Sequence, residues 1–270
     1  MGGLQVHFLG TLDIHYDDQQ LTKPATLKSQ SLLAYLMLHR DQPQPRDRLV
    51  GLFWGDRPER KARSSLSTAL WHIRCCLPDE RLILSNPHTV QVDPQVDLWL
   101  DVDEFESHAS RDDIAGLQSA VALYHGDFLD GFYDEWIIKE RYRLEAVLLE
   151  TLARLMAGHE ARGEHEAALV TALRLLDHDP LREDAHRAVM RAYCRLGHRN
   201  SALNQYCRCQ EVLQQELDVK PMVETTELHQ AILEGRFPVG RVPEPVLAGV
   251  PVAAVPTVPG HSPLDVIART

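Results

Sequence analysis

Arg60, Arg63, Ser64, Ser67, Thr68, Trp71, His72 and Arg74 fall within one short stretch, and their spacing is helical. At about 100° per residue, Arg60, Ser64, Ser67, Thr68, Trp71 and Cys75 share one sector. Arg63 and Arg74 flank it on one side, Lys61 and His72 on the other. Ala62, Leu66, Ala69, Leu70, Ile73 and Leu77 fill the opposite sector, which reads as a core face. Short hydroxyl side chains let a partner approach closely, and arginine forks onto phosphate or onto guanine O6 and N7. Such a row offers hydrogen bonds to a polyanion rather than bond-breaking chemistry. A plain solvated helix face has the same composition, so the elements around it must decide between the two. Trp71 has two readings at this point: contact with a sugar or a thymine methyl, or packing beneath a neighbouring element.

Other chemistry finds little support. No G-x-x-x-x-G-K-[ST] and no G-x-S-x-G occurs. His159-Glu160 and His165-Glu166 open like a zinc-protease motif, but Gly163 and Leu169 stand where the second histidine is required. The 14 histidines are scattered and read as solvated or capping groups. The sequence therefore predicts no enzyme, no metal site and no cofactor. The five cysteines (Cys75, Cys76, Cys194, Cys207, Cys209) form no C-x-x-C pair, which fits a reducing compartment such as the cytoplasm. No apolar run reaches the roughly 20 residues of a membrane span. The first residues lack the basic and apolar regions of a secretory signal.

The net charge of −11 is unfavourable for a nucleic-acid partner until it is mapped. Residues 1–100 hold 11 basic and 11 acidic side chains, whereas residues 101–270 hold 17 and 28. Within 57–74, Arg57, Arg60, Lys61, Arg63 and Arg74 face Glu59 alone. A local basic stripe suffices for phosphate contacts, because charges beyond a Debye length of about 8 Å are screened.

The elements that must position this row read as follows. Residues 4–9 and 11–16 alternate as short strands, with a turn at Asp17-Asp18-Gln19-Gln20. Residues 31–38 form a helix with Leu32, Leu33 and Leu36 on one face, stopped by Pro43 and Pro45. A second short helix runs from Arg46 to Trp54, and the long basic helix begins near Pro58. Residues 81–84 and 89–92 then pair as strands across Ser85-Asn86-Pro87-His88. Arg81 and His88 on this hairpin can reach phosphates or the minor groove, and Arg46 at the start of the second helix counts among the DNA-binding residues. Residues 96–101 close the unit. Helix, connector, basic helix and hairpin in this order describe a winged helix-turn-helix, whose second helix enters the DNA major groove.

From about residue 101 the chain reads as nearly all helix. Gly163-Glu164-His165-Glu166-Ala167-Ala168-Leu169 recurs as Gly197-His198-Arg199-Asn200-Ser201-Ala202-Leu203, an offset of 34 residues and the tetratricopeptide (TPR) period. Leu155, Asp179-Pro180, Tyr193 and Tyr206 fit the same pattern. Helical repeats of this kind present surfaces to other proteins, or simply stack on the first unit and fix its orientation. Residues 236–270 contain seven prolines and no periodic face, and read as a linker or disordered tail. The expected fold class is mainly α: an N-terminal α+β winged helix-turn-helix over 1–100, then an all-α TPR-like domain over 101–235.

The chain resembles the Streptomyces antibiotic regulatory protein (SARP) type of bacterial transcription activator over about residues 1–235. RDRLVGLFWGDRP (46–58) followed by ARSSLSTALWHIR (62–74) looks like an OmpR-type winged helix. LYHGDFLDGFYDEW (123–136), DPLREDAHRAVMRAYCRLGHRNSALNQY (179–206) and LDVKPMVETTELHQAIL (217–233) are similar to the bacterial transcriptional activation domain. The resemblance implies a cytoplasmic activator that binds promoter direct repeats in double-stranded DNA as a homodimer, and recruits RNA polymerase and its sigma factor. It places Arg63, Ser64, Ser67, Thr68, His72 and Arg74 where family members touch DNA. His72 and Cys75 depart from the pattern, which favours Arg at both places. A neutral histidine lacks a permanent charge, so weaker phosphate affinity is expected. Larger relatives carry an NTPase or other signalling module after this region. The competing readings are a TPR-type adaptor whose winged helix binds protein, and the regulatory head of a larger signalling protein.

Overall fold

Leu4 and Val6 point one way from the first strand and are 1% and 0% exposed, so the strand lies flat on a core. The computed structural model describes residues 3–238, and most of the Pro-rich tail read over 236–270 lies outside the described residues. Strand β1 (Leu4–His7) pairs antiparallel with β2 (Asp13–Tyr16), Val6 opposite Ile14. Asp17 and Asp18 take the left-handed conformation that aspartate tolerates in tight turns. The chain reverses there one step earlier than expected, and Gln19–Gln20 form a short strand β3 on β2.

Helix α1 (Leu27–Leu38) starts four residues ahead of the expected Ser31, because Thr26 Oγ1 caps it by accepting from Ser29 N at 3.1 Å. Ser31 through Met37 are all buried rather than one face alone, which makes α1 the central helix of this half. Pro45 does not merely stop a helix. It forms β4 (Gln44–Pro45) on the edge of a second sheet, where its missing N–H costs nothing. Helix α2 (Arg46–Trp54) follows, then α3 (Glu59–Arg74) with Pro58 before its first turn. Leu77 lies beyond the end of α3 yet is buried. The hairpin consists of β5 (Ile83–Ser85) and β6 (Thr89–Val92), in the order β4-β6-β5. Arg81 and Leu82 were expected in its first strand; they lie instead in a short 3-10 turn, Glu80–Leu82, capped by Asp79. Strand β7 (Leu98–Leu100) returns to pair parallel with β1, so α1 to β6 form the crossover such a pair requires.

The remainder is helical: α4 (Asp101–Ala109), α5 (Ile114–Leu123), α6 (Glu135–Arg162), α7 (His165–His178), α8 (Glu183–Arg195), α9 (Arg199–Leu217) and α10 (Val223–Leu233). The two repeat units are the pairs α6/α7 and α8/α9. Gly163 and Gly197 make the tight turns at positive φ. Ala168 and Ala202, fully buried, let the paired helices approach.

One hydrophobic cluster runs from the first sheet into the repeats. Asp101, 1% exposed, accepts from Phe8 N and Leu9 N at 2.8–2.9 Å. Leu129 N donates to Phe8 O, and Trp136 at the start of α6 packs on Tyr35, Phe53 and Phe128 while its Nε1 donates to Ser31 Oγ. The repeats thus hold a fixed orientation to α1 and, through it, to α3.

The second unit carries a pH-dependent element. His186 is buried; its Nε2 lies 2.9 Å from Pro180 O and its Nδ1 2.7 Å from Gln205 Nε2, so the neutral ring is satisfied on both sides. Burial pushes its pKa below the ordinary histidine value of 6.5. The folded state then binds fewer protons than the unfolded one. The stability this site contributes is present above about pH 6.5 and is lost as pH falls below it. Thermal unfolding at pH 7.5 and pH 5 will show a lower midpoint in acid, and His186→Gln will narrow the gap. An equal gap in the variant would contradict this.

Candidate nucleic-acid interface

Helix α3 buries Ala62, Leu66, Ala69, Leu70 and Ile73, the face its periodicity assigned to the core. The opposite side carries Arg60, Arg63, Ser64, Ser67, Thr68 and Trp71, all exposed. Trp71 is 62% exposed with its ring beside that of His72. Of its two readings, packing beneath the hairpin is not the one realised. Ser67 and Thr68 donate their hydroxyls to the carbonyls of Arg63 and Ser64 at 3.2 and 3.1 Å. Their oxygens are left as acceptors, Ser67 Oγ taking one bond from Arg46, and this suits them to the amino groups on base edges.

Arg46, Arg63, Arg74 and Arg81 are held rather than free. Arg63 Nη2 lies 2.9 Å from both Asp47 of α2 and Glu59 one turn earlier on α3. Arg46 donates from Nη1 to Ser85 Oγ at 2.9 Å and from Nη2 to Ser67 Oγ at 3.3 Å, joining α2, the hairpin and α3 through one guanidinium. Arg74 is partly buried and donates to Ile83 O at 3.1 Å, which fixes the root of the hairpin. His72, also partly buried, lies 3.1 Å from Ser29 Oγ and ties α3 to α1. Arg81 forks onto Asp79, whose carboxyl it holds below its usual pKa.

At the hairpin tip, Asn86 Oδ1 accepts from the amides of His88 and Thr89, both at 2.8 Å, leaving the His88 ring exposed. The structure thus gathers Arg60, Arg63, Ser64, Ser67, Thr68 and Trp71 on one surface, with Arg46 and Arg74 on its hairpin side and His72 on the other. Arg81 and His88 stand apart with the hairpin. Asp47, Lys28 and Arg57 border the same surface and are absent from the DNA-contacting residues expected from the sequence. Asp47 gives no local signal, since its partner lies on another helix. Arg57 counted only as part of the basic stripe.

Among the described residues, no group of three or more His, Cys, Asp or Glu side chains can hold a metal ion. Among the same residues, no helix is long and apolar enough to cross a membrane.

Residues 100–233 match the family described as Bacterial transcriptional activator domain. The chain is 27% identical over 225 residues to the Regulatory protein AfsR of Streptomyces griseus, covering 79% of this chain and 23% of that protein. It is 24% identical over 270 residues to the Transcriptional regulatory protein MoaR1 of Mycobacterium bovis, covering 89% of this chain and 85% of that one. The solved structure of Mycobacterium tuberculosis EmbR in complex with a low affinity phosphopeptide superposes with a TM-score of 0.69 at 22% identity, over 87% of this chain and 66% of EmbR. The chain therefore spans about a quarter of AfsR and two thirds of the EmbR chain, and its likeness to EmbR is one of fold.

Proposed function

Because residues 100–233 match the bacterial transcriptional activator domain family, we propose that the chain is a sequence-specific, DNA-binding transcriptional activator of the SARP type acting in the cytoplasm. Helix α3 enters the major groove, with Arg60, Arg63, Ser64, Ser67, Thr68 and Trp71 toward the bases. The hairpin lies along the neighbouring backbone or minor groove, reached by His88 and Arg81. Arg46, His72 and Arg74 frame α3 and meet phosphates at its edges. Residues 1–100 act as the DNA-binding unit and 101–235 as the activation unit. Two copies occupy direct repeats near a promoter, and the helical unit contacts RNA polymerase and its sigma factor.

The observation that carries this reading is the exposed arginine and hydroxyl face of α3, opposite a fully buried face and braced by Arg46 and Arg74 against a hairpin. The relatives' printed roles, regulation and transcriptional regulation, support it.

Fluorescence anisotropy on promoter DNA at two salt concentrations tests it, with wild type beside Arg63→Ala. Sequence-dependent binding that falls steeply with salt and weakens about tenfold in the variant is expected. Binding that is absent at low salt, or indifferent to the substitution, would move the function to protein–protein contact.

A further inference from the structure

An α-helix with its side chains is about 10–12 Å across and the major groove about 12 Å wide, so a helix lying in it meets sugar-phosphate on both flanks. On α3 the hairpin flank is furnished with Arg46, Arg63 and Arg74. The other flank borders a cleft of about 340 Å³ between the start of α1, the end of α2 and α3. Lys28, Arg57, Ser29, Ser65, Thr68 and His72 are among its lining residues, and no carboxylate is. That composition favours an anion. Arg57 Nη1 donates to Ser65 Oγ at 3.1 Å, which aims the guanidinium along α3. Lys28 is ion-paired to Asp134, the residue that precedes α6, and sits over the Phe53 ring.

We infer that this cleft binds a phosphate of the DNA backbone, with Arg57 as the main ligand and Lys28 shared between that phosphate and Asp134. The inference rests on the DNA-binding reading above and adds a second phosphate wall to it. Permanent charge in the cleft then comes from Arg57 and Lys28. That supplies the permanent charge that a histidine at position 72, itself engaged with Ser29, does not. Asp134 belongs to the helical half, so the Lys28 pair links backbone contact to the residue just ahead of the activation unit's long helix α6.

The test is anisotropy on the chain's preferred DNA with wild type, Arg57→Ala and Asp134→Asn, across a salt series. Arg57→Ala is expected to weaken binding about five- to tenfold and to lower the salt slope by about one. Asp134→Asn, which releases Lys28, is expected to strengthen binding. Methylphosphonate substitution along the DNA adds the decisive arm: one backbone position must cost wild type and leave Arg57→Ala unaffected. If wild type binds DNA while Arg57→Ala keeps its affinity and slope, the cleft assignment fails and the DNA-binding reading stands. If wild type binds no DNA, the reading itself fails. Inorganic phosphate is titrated into the DNA-free protein in parallel. Saturable binding lost in Arg57→Ala, without a methylphosphonate-sensitive position, would make this a site for a free phosphate and overturn the backbone assignment.

Discussion

Asp101→Ala is expected to destabilise the chain by about 3–5 kcal/mol, measured as a lower denaturant midpoint with an unchanged slope. The Asp101 carboxylate is 1% exposed and accepts from both Phe8 N and Leu9 N. Burial raises its pKa, while the amides of Leu9 and Phe8 hold it down. Alanine would leave two amides without partners where water does not reach, each costing about 1–3 kcal/mol. The same segment carries the contacts between the halves, including Leu129 N to Phe8 O at 2.8 Å and Gly10 N to Asp127 O at 3.0 Å. Amide exchange at Leu129 and Gly10 will therefore accelerate more than exchange in α8 or α9. Asp101→Asn keeps one acceptor oxygen and is expected to cost about half as much. A loss below about 1 kcal/mol in the alanine variant would show that the segment is held by packing alone.

Arg46→Ala is expected to weaken DNA binding by about ten- to thirtyfold while changing stability by less than about 1 kcal/mol. One planar guanidinium spans Ser85 on the hairpin and Ser67 on α3. Its removal takes away a charge at the groove and frees the hairpin to move relative to α3. Lysine cannot restore this, because a single ammonium lacks the fork that reaches two fixed acceptors. Equal affinities for Arg46→Lys and wild type would reduce Arg46 to a simple charge. The sequence specificity of the alanine variant should fall along with its affinity, since α3 and the hairpin would no longer hold one register on DNA.

The division of α3 into a buried and an exposed face was legible because it depends on local periodicity: Ala62, Leu66, Ala69, Leu70 and Ile73 had to turn inward together. The repeat was legible for a similar reason, since Gly163 and Gly197 recur at a fixed spacing and each must reverse a helix. What escaped was set by distant partners. Gln44–Pro45 becomes a strand only because β6 lies beside it, and β7 reaches β1 across more than ninety residues of sequence. Arg81 left the expected strand because Asp79 caps a 3-10 turn there. The bonds of Arg46 to Ser67 and Ser85, of Arg63 to Asp47 and of Lys28 to Asp134 each join separate elements. These determine which cations face a partner and which brace the fold, a distinction that residue type alone does not carry.

Methylation protection on DNA that the chain itself selects from a random pool would place α3 most directly. Dimethyl sulfate attacks guanine N7 from the major groove and adenine N3 from the minor groove, so one reagent reports both. With α3 in the major groove, guanine N7 is protected at the centre of the bound site, and that protection is lost in Arg63→Ala. Adenine N3 protection, where present, lies in the adjacent minor groove and depends on His88 at the hairpin tip. Stable binding with guanine N7 left fully reactive would contradict the placement of α3 in the major groove, and with it the assignment of Arg60, Ser64, Ser67 and Thr68 as its reading residues.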